Sequence, residues 1–300
     1  MPRFLSVTAL AGSLVLLAPA PQAWAHPPVE DQIAELSAAI FHDPAIAELY
    51  LRRGDLHRAT GSWPAALRDY RRSRRLDPQL HAASFRIGQT LLQAGHPRRA
   101  AHALVSFLRS HPRHDQALSL HGQALMQMGR HLEAAQQFAL AVRARSGPGD
   151  PPPDHYLRWS SALEAAGGRH VRAALDALDS GISSLGPLVT LQLAAIDLEL
   201  KLGRHGAALD RLALVASRSE RQESWRARRA EILVKAGRRC EARREYEAAL
   251  DAIASLPAHH RATPVIRALE DDSRAAIAGL CRDAEGVEAA TAAPPRQAGW

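Results

Sequence analysis

The chain has 300 residues, room for two ordinary domains or for one continuous array of repeats. Basic residues outnumber acidic ones 38 to 31, for a net charge of +7, and Lys201 and Lys235 are the only lysines. The chain holds no G-x-S-x-G, no H-E-x-x-H, no phosphate-binding glycine loop, no C-x-x-C and hence no C-x-x-C-H haem site, so the chemistries those motifs mark are excluded.

Residues 1–25, MPRFLSVTALAGSLVLLAPAPQAWA, read as a secretory signal peptide. Arg3 is the basic start, Leu5 to Leu17 the apolar core, and Ala23-Trp24-Ala25 the cleavage site. Pro19 and Pro21 cut the apolar run short of the ~20 residues that span a bilayer. No cysteine follows the run, which argues against a lipid anchor. No other stretch is apolar enough to cross a membrane. This predicts a mature protein in the periplasm or outside the cell. Cleavage removes Arg3 and no acid, leaving 37 basic against 31 acidic residues.

Residues 26–43 form the expected N-terminal capping helix, with Ile33, Leu36, Ile40 and Phe41 at helical spacing. A recurring skeleton then begins: a glycine, an alanine five residues on, a large apolar residue four after that. It reads Gly61/Ala66/Tyr70, Gly95/Ala100/Leu104, Gly129/Ala134/Phe138, Gly203/Ala208/Leu212 and Gly237/Ala242/Tyr246. A weaker copy, Gly168/Ala174/Leu178, carries one extra residue. The period near 34 marks stacked helix-turn-helix units. The glycine closes the first helix of each pair, and the alanine sits where the two helices cross closely. Seven residues before each glycine stand Gly54, Gly88, Gly122, Ser161, Ile196 and Ala230, mostly small. Pro78 and Pro112 end second helices.

The expected layout is repeats 1–3 over residues 44–145, a Pro/Gly-rich loop over 146–154, and degenerate repeats 4–6 over 155–257. The loop is either a hinge or a plain surface insertion. A C-terminal capping helix over 263–283 follows, with Thr263 as its N-cap, Pro264 in its first turn, and a stripe of Ile266, Leu269, Ile277 and Leu280. Residues 284–300 read as a disordered tail. Antiparallel pairing of the last two helices brings Cys240 and Cys281 to the same end, which predicts a disulfide in an oxidising compartment. Against the bridge, Cys240 shares its stripe with Arg243, Arg244 and Glu247; the alternative is two unpaired thiols.

From Ala47 to Pro78 the pattern of aromatic, small, Gly, Ala, aromatic and Pro resembles the tetratricopeptide repeat (TPR) family over its whole length. The likeness covers roughly residues 44–255 and weakens in the last three copies. It implies an all-α, right-handed α-solenoid of about six repeats with capping helices, and a job of binding protein rather than doing chemistry. On the family's register the groove-facing positions are Glu48, Leu51, Asp55, Arg58, Phe85, Gln89, Gln93, Gln116, Ser119, Gln123, Met126 and Gln127. Five of these are glutamine. An amide offers donor and acceptor to an extended peptide, and it is equally a good neutral residue for a wet helix face. The Lys and Asn clamp that some members use for a terminal carboxylate is not recognisable at these positions.

The expectation is therefore a non-enzymatic, exported scaffold that holds a peptide or protein partner, with a role in cell-envelope assembly. No cofactor is implied. The histidines, among them His111/His114 and His259/His260, offer no convincing third metal ligand, so no metal site is assigned. The alternative is a polyanion- or carbohydrate-binding module working through surface arginines. The arginine content reads equally as codon bias. Arg71-Arg72-Ser73-Arg74-Arg75 reads as a solvated face, and export argues against nucleic acid as the partner.

Overall fold

The computed structural model of the protein describes residues 28–144 and 151–291, the side chains of 281–291 excepted. The expected signal peptide, the core of the Pro/Gly loop and the last nine residues of the tail lie outside the described residues. The described residues are all-helical, with fifteen α-helices and one 3-10 turn. The chain divides into two units after Asp77.

The first unit holds α1 (Val29–His42), α2 (Ala47–Ala59) and α3 (Trp63–Leu76). α2 and α3 pair, and α1 packs on α2. The pairing follows from three positions. Gly61 ends the first helix in the left-handed region at φ 74, where a Cβ would be strained. Ala66 and Tyr70 are both fully buried. The Tyr70 ring lies on Gly54 so closely that an added Cβ would stand 2.7 Å from it. α1 docks through Ile40, which is buried, whereas Phe41 is 84% exposed and does not join the cap's apolar face.

The second unit runs from α4 (His81–Gln93) through α5 (Pro97–Ser110), α6 (Asp115–Gln127), α7 (His131–Ala144), α8 (Pro153–Ala165), α9 (Val171–Leu185), α10 (Val189–Lys201), α11 (His205–Ala216), α12 (Glu223–Lys235) and α13 (Arg239–Ala254). A short α14 (Ala258–Arg261) and a long α15 (Pro264–Thr291) close it. Each of α4 to α12 packs on its successor, and α13 packs on α15. The core is accordingly a string of small clusters, such as Phe85/Leu104/Phe107/Ala117 and Ile196/Ala208/Leu212/Ile232. Gly88 meets Leu104, and Gly122 meets Phe138, as Gly54 meets Tyr70: a Cβ at either would come within 2.7 Å. Ala100, Ala134, Ala174, Ala208 and Ala242 are all fully buried.

Three local expectations change. In the fourth copy the left-handed residue is Gly167, at φ 115, and Gly168 starts the 3-10 turn Gly168–His170 that absorbs the extra length. The small buried residue of that copy is therefore Ser160, while Ser161 is exposed. At the C-terminus, Thr263 does not cap α15 with its side chain; its hydroxyl donates to the His260 carbonyl at 2.8 Å. α15 continues to Thr291, eight residues beyond the expected end, through a segment rich in the strong helix formers Ala and Glu.

α15 does fold back along α13, with Leu269, Ala276, Ile277 and Leu280 packed around Tyr246 and Ala249. Cys240 nevertheless carries a free, exposed thiol instead of half of the expected bridge. The buried stripe of α13 is Ala242, Tyr246, Ala249 and Ile253, and Cys240 stands off it, on the side of the exposed Arg243, Arg244 and Glu247. The side chain of Cys281 lies outside the described residues.

Candidate functional site

First helices occur at every second position of the second unit: α4, α6, α8, α10 and α12. α4 touches α6 and α8 touches α10, so within each of these two pairs the first helices share a face. On α4 and α6 this face carries amides. Gln93, Gln116 and Gln127 are exposed, and Gln89 and Gln123 are half-buried. The Arg86 guanidinium donates to Gln89 Oε1 at 3.3 Å. Met126 is half-buried beside Leu125 and Phe138. Further along, charges replace the amides. Lys201 on α10 pairs with Glu164 on α8, and Arg228 on α12 donates to Asp197 on α10 at 2.7 Å.

Two of the expected face residues of this unit are core instead. Phe85 is buried, its ring 5.5 Å from Phe107 and 5.0 Å from His114. Ser119 is buried as well. Both lie ten residues before the turn glycine, a position that the helix turns inward toward its own pair. Spacing from the glycine alone does not separate that stripe from the outward one beside it.

In the first unit Glu48 is exposed, whereas Leu51 is buried. Asp55 accepts a 2.7 Å hydrogen bond from the Tyr70 hydroxyl. Arg58 lies 3.9 Å from Asp55. Burial, reinforced by this bond to Asp55, holds the Tyr70 phenol well above its ordinary pKa. Asp55 and Arg58 thus act within the repeat.

The histidines have local work. His114 caps α6, its Nδ1 accepting from the Ala117 amide at 3.1 Å. His111 stacks on Phe107 with centroids 4.5 Å apart. Burial pushes the His121 imidazole below its usual pKa. Among the described residues no group of three or more His, Cys, Asp or Glu is placed to hold a metal. No described helix is long and apolar enough to cross a membrane.

One surface escaped the sequence reading. Where the α4–α5 turn meets the end of α6, a depression of about 710 Å³ is lined by His96, Arg98, Arg99, Gln127, Met128 and Arg130. The run Arg98-Arg99 alone gives no sign of it, because Arg130 joins them only through the stacking of successive turns.

The tetratricopeptide repeat family's sequence profile matches residues 33–81 and 85–151. No curated protein sequence matches the chain. Among solved structures, that of a MamA protein is 18% identical, with a TM-score of 0.51, over 60% of this chain and 94% of that one. A structure of Naa15/Naa10 bound to HypK-THB is 15% identical, with a TM-score of 0.52, over 84% of this chain and 37% of that one. A tetratricopeptide repeat protein from Parabacteroides merdae ATCC 43184 is 17% identical, with a TM-score of 0.49, over 82% of this chain and 92% of that one. At these identities the likeness is one of fold.

Proposed function

Since this chain is a tetratricopeptide repeat protein, we propose that it is an exported scaffold whose amide-bearing face holds an extended segment of a partner protein, as an adaptor in the cell envelope. The observation that carries the reading is the run of Gln89, Gln93, Gln116, Gln123 and Gln127 on two touching first helices. Amides at this spacing can both donate to and accept from a peptide main chain without demanding a charged ligand. Helix pairs stacked in register supply a rigid surface for that job.

Export rests on the basic start, apolar core and Ala23-Trp24-Ala25 of the first 25 residues. The test has two arms. N-terminal sequencing of the protein recovered from the periplasm or medium should begin at His26. Cross-linked capture from that compartment should return a protein whose recovery falls when Gln89, Gln93 and Gln123 are changed together to Glu. Unchanged recovery with an intact fold would move binding off this face. An uncleaved, cytoplasmic chain would end the export reading.

A further inference from the structure

We infer that the arginine-lined depression between the second and third repeats is a binding site for an acidic segment of the partner protein. The inference rests on the scaffold reading and specifies part of its ligand.

The stretch that forms the depression is almost free of acids. From Pro78 to His131 there are six arginines, seven histidines and a single acid, Asp115, so this stretch contributes +5 of the whole chain's +7. A bias toward arginine acting evenly along the sequence would not hold 54 consecutive residues to a single acid. Asp115 opens α6, whereas Gln127 and Met128 at the depression close it, about 18 Å away along the axis at ~1.5 Å per residue.

The local geometry shows the same imbalance. In α7 and α13 the third residue of the helix is an acid, Glu133 or Glu241. The arginine just before the helix, Arg130 or Arg238, donates two hydrogen bonds to it. Those turns neutralise themselves. In α5 the same position is Arg99, preceded by Arg98, and the residue before the helix is His96. Arg98 and Arg99 are exposed and make no ion pair or side-chain hydrogen bond among the described residues. Two cations in the first turn of a helix oppose its dipole. Arg130, already paired with Glu133, faces the same depression, so an arriving carboxylate meets two unpaired guanidiniums, Arg98 and Arg99, and relieves their mutual repulsion. Guanidiniums pair carboxylates in a bidentate fork, and Gln127, Met128 and Pro97 in the lining offer an amide and apolar contacts suited to peptide.

The test is fluorescence anisotropy of a short labelled peptide rich in Glu and Asp, titrated with the purified protein, beside its Gln/Asn counterpart. The acidic peptide should bind, more weakly as salt rises, and the neutral one should not. Changing Arg98→Glu with Arg99→Glu should weaken binding about tenfold or more, while Arg74→Glu with Arg75→Glu, an equal charge change on α3, should alter it by less than about twofold. Should the glutamate pair disturb folding, Arg98→Gln with Arg99→Gln, checked by circular dichroism, carries the same comparison. Equal loss in both pairs would reduce the effect to net charge and overturn the site. Preferential binding of heparin or of anionic phospholipid vesicles, lost in the same variant, would overturn the peptide class. Absence of acidic-peptide binding, with partner capture by the glutamine face intact, would overturn this site and leave the scaffold reading standing.

Discussion

The Tyr70 hydroxyl donates a 2.7 Å hydrogen bond to Asp55 while its ring covers Gly54, so one side chain of α3 closes the first repeat through two consecutive residues of α2. Removing the hydroxyl with Tyr70→Phe keeps the ring and loses the bond. The expected cost is about 1 kcal/mol in chemical denaturation. The raised pKa gives this bond a pH signature. The folded state holds the phenolic proton more tightly than the unfolded chain, whose tyrosines ionise near about pH 10. The contribution is complete below that pH and is lost as pH climbs toward the folded value. Tm measured from neutral to alkaline pH should fall less steeply in Tyr70→Phe than in the parent; identical slopes would show that the phenol does not couple to folding.

Ala100 is fully buried at the α4–α5 crossing, and Gly88 lies 2.7 Å (as a hypothetical Cβ) from Leu104. Ala100→Leu should cost roughly 1–3 kcal/mol through overpacking. Gly88→Ala sets two effects against each other: a helical gain of up to ~1 kcal/mol against the clash with Leu104. The clash should win, and pairing Gly88→Ala with Leu104→Ala should restore part of the loss. Additive losses in that double-mutant cycle would mean that the two residues do not share the contact.

Arg53 clamps Asp69 with two hydrogen bonds, 2.8 and 2.7 Å, and donates a third to Ser37 on α1 at 3.0 Å. The first of these partners keeps the guanidinium's pKa raised despite partial burial. Asp69 is nearly buried, so Arg53→Met strands its carboxylate. The expected loss is about 2–3 kcal/mol, against a smaller one for Arg53→Met with Asp69→Leu, where no charge is left unpaired. Hydrogen exchange should rise first in α1, whose Ser37 anchor goes with Arg53. Protection of α1 unchanged in Arg53→Met would locate the anchor elsewhere.

Cys240 is a free, exposed thiol on the polar stripe of α13. Alkylation of the native, non-reduced protein should label it within minutes, and mass spectrometry should find it unpaired. Recovery of a Cys240–Cys281 peptide from the oxidised protein would show instead that the start of α13 rotates to meet α15.

The period near 34 determined the helix pairs, because each turn needs a glycine at positive φ and each crossing needs an alanine, and these demands are local enough to read from residue identity. Gly61, Gly95, Gly129, Gly203 and Gly237 all sit at φ 70–75, where the spacing placed them. The antiparallel return of α15 along α13 was legible for the same reason. What the sequence left open was the phase of a side chain about its helix. Phe85 was assigned to the wrong side of its helix by about one position, a rotation of roughly 100° that spacing from a turn resolves poorly, and Cys240 was left open between a bridge to Cys281 and the polar stripe of α13. Tertiary structure decided those cases because burial depends on which neighbour a stripe meets. Gly167 displaced Gly168 for a related reason: two adjacent glycines satisfy the same pattern, and the 3-10 turn needed to restart α9 selects between them. The basic depression is the furthest from sequence. His96, Arg98 and Arg99 come from one turn and Arg130 from the next, 31 residues after Arg99, and only the stacking of one helix pair on another brings their charges to a single surface.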